Sequence, residues 1–297
     1  MTMKKKNTIL IWIIALLAAG VSIYGIFSNQ PINVGQSVPT IHGDLVTLYG
    51  KGLYHNESLS MAAQVRAQDM VTLFLGVPFL LSSLYLSNKD SIKGKFLLTG
   101  VLGYFLYTYA TYCFVAMYNN FFLLFTLLMG LSFFAFVINL SSLNAIQLNQ
   151  YFSKMTARKY VSCSIILFGF AIGLMWLGRL FPALSGGVPE GLEHYTTLPI
   201  QALDLGIVVP AMIISGFSLL KEKKLGYLLA PVMIIKGITL LLAVDAMAIS
   251  MLISGAEVSP AELIVFPLFT GVFCFNLYLM MKGVNTGKQS EAKQLSQ

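Results

Sequence analysis

Charge is what this sequence has least of. Asp, Glu, Lys and Arg make up only 10% of its 297 residues, against 57% hydrophobic, whereas a soluble domain carries about 25% charged residues. A soluble fold of this length needs a wettable surface that so few charges cannot cover, so the composition implies lipid as the solvent. Cysteine is equally scarce. Cys113, Cys163 and Cys274 all fall inside apolar runs, with no CxxC pair, no Cys/His ligand spacing and no disulfide framework, so they read as small packing residues. The three histidines, His42, His55 and His194, lie outside the apolar runs, which argues against a bis-histidine haem within the bilayer. No cofactor is expected. P-loop, GxGxxG after a strand and nucleophile elbow are all missing, so neither nucleotide binding nor serine-hydrolase chemistry is indicated. The net charge of +7 is dispersed in short clusters rather than set in one stripe with interleaved aromatics, which excludes a nucleic-acid partner.

What is present is a succession of apolar runs of membrane-spanning length, about 20 residues each: 8–27, 66–87, 96–117, 121–143, 160–182, 198–220, 227–253 and 262–281. The expected fold class is an all-α integral membrane protein with eight transmembrane helices. With the chain starting inside, the inner segments hold Lys4, Lys5, Lys6; Lys89, Lys93, Lys95; Lys154, Arg158, Lys159; Lys221, Lys223, Lys224; and Lys282, Lys288, Lys293. These five clusters of three account for 15 of the 19 basic residues, as the positive-inside rule requires. The outer segments carry Asp44, Glu57, Glu190, Glu193 and Glu257. Both termini are therefore expected in the cytoplasm, and a bacterial plasma membrane is the expected location. A cleavable signal is the alternative for the first run, with Lys4–Lys6 as its basic region and Ala18-Ala19-Gly20 as its cleavage sequence. That run is long for the apolar region of a signal peptide, which favours an uncleaved anchor.

The chain resembles itself. At a constant offset of 132, Pro78 matches Pro210, Ser83 matches Ser215, Lys89 matches Lys221, Asp90 matches Glu222 and Gly94 matches Gly226. Gly52-Leu53-Tyr54-His55 resembles Gly191-Leu192-Glu193-His194, and Asp69 resembles Asp204, at other offsets. The expected organisation is two four-helix halves, 1–145 with an outer loop at 28–65 and 146–297 with a short cytoplasmic tail, related as a parallel internal repeat.

Polar residues inside the runs mark the candidate site. Lys236 stands ten residues beyond Gly226, hence about 15 Å into its helix and near the middle of a core about 30 Å thick. A lysine there costs about 2.5–3.5 kcal/mol on insertion scales and should face protein and have a partner. Asp204, after a helix start at Thr197 and Pro199, is the expected partner. Tyr107, Thr111 and Tyr118 share one helical face, and the 132 offset sets Tyr104 opposite Lys236. Asp69 marks the outer entrance of the second span, where it is spaced to pair with Arg66 at i, i+3. His55 and His194, beside Glu57 and Glu193, are weak candidates for a zinc-like metal.

Three functions stay open: transport of a small solute or ion through Lys236, Asp204, Tyr104, Tyr107 and Asp69; a non-catalytic assembly or sensing protein that uses a hairpin around Gly50-Lys51-Gly52; and a membrane enzyme acting on a lipid or envelope substrate with His55, His194, Asp69 and Glu193. Transport ranks first and the enzyme last. The bilayer is the one expected partner besides a small solute or ion; the residues identify no protein partner.

Overall fold

The computed structural model describes residues 3–152, 155–189, 191–256 and 258–284. Lys154, Glu190, Glu257, Lys288 and Lys293, which the topology reading used, lie outside the described residues. Among the described residues eight long helices fall on the eight expected runs: α1 (Met3–Phe27), α2 (Leu59–Asn88), α3 (Ile92–Phe114), α4 (Phe122–Asn144), α5 (Arg158–Leu180), α6 (Pro199–Leu220), α7 (Lys224–Ile253) and α8 (Pro260–Lys282). Seven are long and apolar enough to cross a membrane. The exception is α3, which opens with Lys93 and Lys95 and carries glycines, threonines and four tyrosines. Its surroundings explain why it tolerates them, since Phe96, Leu98, Val101, Leu102 and Phe105 are all fully buried by other helices. The other central helix is α7, 72% buried over its most apolar stretch, whereas α8 at 17% lies on the rim.

Helix starts are set by local chemistry. α2 begins at Leu59 rather than near residue 66 because the Ser58 hydroxyl accepts from the Met61 N–H at 3.1 Å, a normal N-cap. α6 begins at Pro199 as expected, but Leu198 occupies the cap position and makes no side-chain bond, so Thr197 is not the cap. In the outer segment the hairpin forms at β1 (Ser37–Pro39) and β2 (Leu45–Thr47), with Val38 opposite Val46. It does not turn at Gly50-Lys51-Gly52. Its tip is Thr40–Asp44, where the Thr40 hydroxyl accepts from the N–H groups of His42 and Asp44. Lys51 instead bridges back to Pro31.

α2 and α6 share an irregularity. Each loses regular α geometry for five residues, at Thr72–Gly76 and at Asp204–Val208, where the backbone widens to a π turn. The Val77 N–H reaches the Thr72 carbonyl and the Val209 N–H reaches the Asp204 carbonyl, five residues back instead of four. Pro78 and Pro210 follow immediately. A proline inside a helix has no N–H to give and crowds the carbonyl four residues earlier, and a π turn is one way to absorb that defect.

The turns that follow α2 and α6 also match. Asp90 and Glu222 both take left-handed backbone angles, φ 61° and 55°. Gly94 and Gly226 each press against the end of the preceding helix so closely that a Cβ would come within 2.6 Å of the Leu86 carbonyl carbon or 2.1 Å of the Leu219 nitrogen. Basic residues gather at this end of the bundle. Lys4 bonds Asp90 at 3.2 Å, Arg158 pairs with Glu222 at 2.5 Å, and Lys224 donates to the Asn144 carbonyl at 2.5 Å.

Packing follows the same scheme in α1–α4 and in α5–α8. α1 packs on α2 and α4, and α3 on α2 and α4; likewise α5 packs on α6 and α8, and α7 on α6 and α8. Across the middle α3 meets α7, α2 meets α7, and α3 meets α6. At the central crossing a Cβ on Gly100 would lie 2.5 Å from the Ile235 Cβ and 3.2 Å from the Val232 carbonyl oxygen. The two helices touch almost backbone to backbone there.

Candidate functional site

Lys236 is buried, with 6% of its surface exposed, and its stem runs past Gly103 of α3, where a Cβ would lie 3.7 Å from the lysine Cγ. No group among the described residues accepts a hydrogen bond from its Nζ. The ammonium instead sits over the Tyr107 ring, 4.0 Å from the centroid. The Tyr107 hydroxyl then donates to Asp204 Oδ1 at 2.8 Å, and Trp176 Nε1–H of α5 donates to Asp204 Oδ2 at 2.9 Å. Asp204 is therefore buried but fully hydrogen-bonded, and it is the charge whose field reaches Lys236.

This corrects the direct Lys236–Asp204 contact expected from depth: no ion pair within 4.0 Å forms between them among the described residues, because Tyr107 stands between. The aromatic face takes the cation and the phenol takes the carboxylate, so one side chain couples two opposite charges. A desolvated cation over an aromatic ring gains about 2 kcal/mol, less than the cost of burying a lone ammonium. The site is electrostatically compensated yet leaves the three N–H donors of Lys236 unspent.

Tyr104 is not part of it. Its hydroxyl accepts from Gln68 Nε2 at 2.6 Å and shares a hydrogen bond with Thr72 Oγ1 at 2.9 Å, and Gln68 also reaches Thr108 at 3.1 Å. At the 132 offset Thr72 corresponds to Asp204 and Tyr104 to Lys236. A neutral hydroxyl pair thus stands in one half where the charged residues stand in the other. The same register sets Asp204 opposite Thr72, not opposite Asp69.

Asp69 forms a second polar cluster. It is 1% exposed and accepts from Tyr54 OH at 2.6 Å and Tyr112 OH at 3.0 Å. The helical pair with Arg66 does not form. Arg66 turns outward to donate to Tyr49 OH at 2.9 Å and to the Ile26 carbonyl at 3.2 Å, because Asp69 lies on the buried face of α2 and a guanidinium is too large and too hydrated to follow it. Of the remaining polar stripe, Thr111 bonds back to the Thr108 carbonyl and Tyr118 is exposed. Asp245 accepts from Thr270 of α8 at 2.8 Å, apart from Lys236.

Residues 56–58 are tied to residues 194–195. Glu57 accepts from Tyr195 OH at 2.6 Å and from the Met117 N–H at 2.8 Å, while His194 Nε2 lies 3.0 Å from the Asn56 carbonyl oxygen. His55 Nδ1 lies 2.9 Å from the Gly52 carbonyl oxygen. Each candidate histidine thus has a ring nitrogen beside a main-chain carbonyl, and no group of three or more His, Cys, Asp or Glu is placed to hold a metal among the described residues.

Burial pushes the Glu57 carboxyl up to about 7, against the opposing bonds from Tyr195 and Met117. The folded carboxyl titrates near 7 and the unfolded one near 4.5, so the fold holds the extra proton between those values. The resulting stabilisation is complete below 4.5 and is lost as pH rises through 7. Thermal melts in detergent should show stability falling from pH 5 to pH 8, by up to about 3 kcal/mol. Glu57→Gln, which keeps an acceptor for Met117, should flatten that slope and be the more stable form at pH 8. An equal slope in both proteins would contradict this assignment.

The sequence reading missed Trp176, Thr72, Tyr54 and Tyr195. Trp176 carried the clearest signal: it is one of two tryptophans, it lies in an apolar run, and a buried indole N–H needs an acceptor. No family model, curated protein or solved structure matches the chain.

Proposed function

We propose that the chain is a small-solute or ion transporter whose intramembrane site is the Lys236–Tyr107–Asp204 group. The observation that carries this reading is the buried ammonium of Lys236 with all its donors free. A purely structural lysine in so apolar a setting would spend those donors on carbonyls or a carboxylate. Donors left unspent and backed by a compensating acid suit an anionic or acceptor-rich solute. Because Lys236 and Asp204 already balance each other, a neutral acceptor-rich solute would add no charge, whereas an anion would enter together with a proton or a cation.

The architecture proposed with it is eight spans in two parallel four-helix halves, with both termini and the basic end facing the cytoplasm of a plasma membrane. Its support is the matched π turns, inner turns and helix contacts at the 132 offset. Two pseudo-equivalent halves meeting at α3 and α7 set the site beside their interface, where rocking of one half against the other would expose it to either side in turn.

The test is uptake of radiolabelled chloride, phosphate, acetate and glutamate into proteoliposomes. At least one should accumulate, and Lys236→Ala and Asp204→Asn should each cut uptake about tenfold or more, the loss expected for a charge-assisted hydrogen bond. Unchanged uptake in both variants, or no uptake of any of the four by the wild type, would remove the proposal.

A further inference from the structure

The Asp69 cluster has a composition that the Lys236 site does not share: every polar group facing the carboxylate is an oxygen. Tyr54 and Tyr112 donate their hydroxyls to it. Ser22 of α1 and Tyr109 of α3 approach closely enough to act on Asp69. Yet Ser22 Oγ and Tyr109 OH, each in a residue 1% exposed, complete no hydrogen bond. The Asp69 carboxylate also lies directly on Gly25 of α1, where a Cβ would come within 1.9 Å of Oδ2. Arg66 acts on Asp69 through its field alone: its Nη1 and Nη2 donate to Tyr49 and Ile26, and no ion pair within 4.0 Å joins it to the carboxylate among the described residues.

A carboxylate sealed among four helical and loop elements, with no basic group in contact among the described residues and with two unspent hydroxyls beside it, has the makings of a ligand shell. Buried charges are paired or coordinate metal ions, and oxygen-only shells suit hard cations. A divalent ion needs more negative charge than one buried carboxylate supplies, so the charge balance selects a monovalent ion. A bare proton would need a single acceptor and would leave one of the two hydroxyls still idle. From this geometry we infer that Asp69, with Ser22, Tyr54, Tyr109 and Tyr112, binds a sodium ion. The ion would tie α1 to α2, α3 and the outer segment. The inference stands apart from the transport reading, because it concerns different residues and is read by binding rather than by uptake.

Thermal melts of the purified full-length protein in detergent, at fixed pH and ionic strength, compare sodium chloride with choline chloride. Sodium should raise the midpoint by about 5 °C in a saturable way. Asp69→Asn should abolish the shift, and Ser22→Ala should move its half-saturation about tenfold higher. Equal midpoints in the two salts would overturn the inference, as would a sodium shift that survives in Asp69→Asn. A pH-dependent midpoint identical in both salts would assign the group to a proton and overturn it equally. Should Asp69→Asn fail to fold, equilibrium binding of radioactive sodium decides between wild type and Ser22→Ala: weaker binding in the variant supports the site, and equal binding removes it.

Discussion

Gly100→Leu is expected to prevent the two halves from closing and to leave little monodisperse protein. At this crossing of α3 and α7 even a methyl group would stand 2.5 Å from the Ile235 Cβ and 3.2 Å from a main-chain oxygen of Val232. Neither is the movable end of a flexible side chain. Overpacking that a side chain can absorb costs about 1–3 kcal/mol; here the helices themselves must separate, and the loss should exceed about 3 kcal/mol. The control is Gly20→Leu in α1, also a mid-helix glycine but with nothing within 4 Å of its added Cβ. That change should be neutral or slightly stabilising, because it removes helix-interior glycine without a clash. Size-exclusion profiles and melts of the two variants side by side check this. Equal behaviour would mean that the close crossing of α3 on α7 is not what joins the halves.

The second large effect is a coupling between charges that do not touch. Lys236→Met leaves Asp204 with its two donors but without an opposite charge, and Asp204→Asn leaves Lys236 with only the ring of Tyr107. Removing one member of a buried pair costs about 3–5 kcal/mol, while replacing both with neutral residues is often harmless. Each single variant should therefore lower the melting midpoint markedly, and the double variant Lys236→Met/Asp204→Asn should recover most of the loss. The coupling energy from this cycle should be at least about 1 kcal/mol. Tyr107→Phe should reduce it, since the hydroxyl that holds Asp204 is gone while the ring under Lys236 remains. Strict additivity of the two single variants would show that Tyr107 separates the charges rather than joining them.

Much of the fold was legible because hydrophobic length and the placement of lysines are one-dimensional signals. The eight helices stand where the apolar runs predicted them. The least apolar, α3, was readable only because its neighbours on either side were clear. The rise per residue also put Lys236 and Asp204 near each other along their helices, but could not show the ring of Tyr107 between them. What the sequence did not disclose was azimuth. A residue count sets Tyr104 and Tyr107 at nearly the same depth, but not which of them faces α7, and the π turn in α6 re-aims Asp204 by an angle that no regular helical period contains. The Arg66–Asp69 spacing misled for the same reason: i, i+3 proximity matters on an exposed surface, and Asp69 is buried. The outer hairpin was misplaced because glycines at 50 and 52 promise a turn as strongly as Thr40–Asp44 does. The hydroxyl-capped tip won by satisfying two backbone donors.

The meagre hydropathy of α3 has a consequence for how such a chain is made. A nascent protein meets the lipid one segment at a time, and a stretch bearing this many hydroxyls and glycines partitions poorly when it arrives alone. Its far more apolar successor α4 follows after only a seven-residue link, 115–121, pinned by Asn119 accepting from the Phe121 N–H. The pair can therefore leave the insertion machinery as one hairpin. The most protein-like helix of the bundle would then enter hydrocarbon shielded by α4, which it keeps as a neighbour in the finished fold, and would gain α7 on another face only once α7 is made.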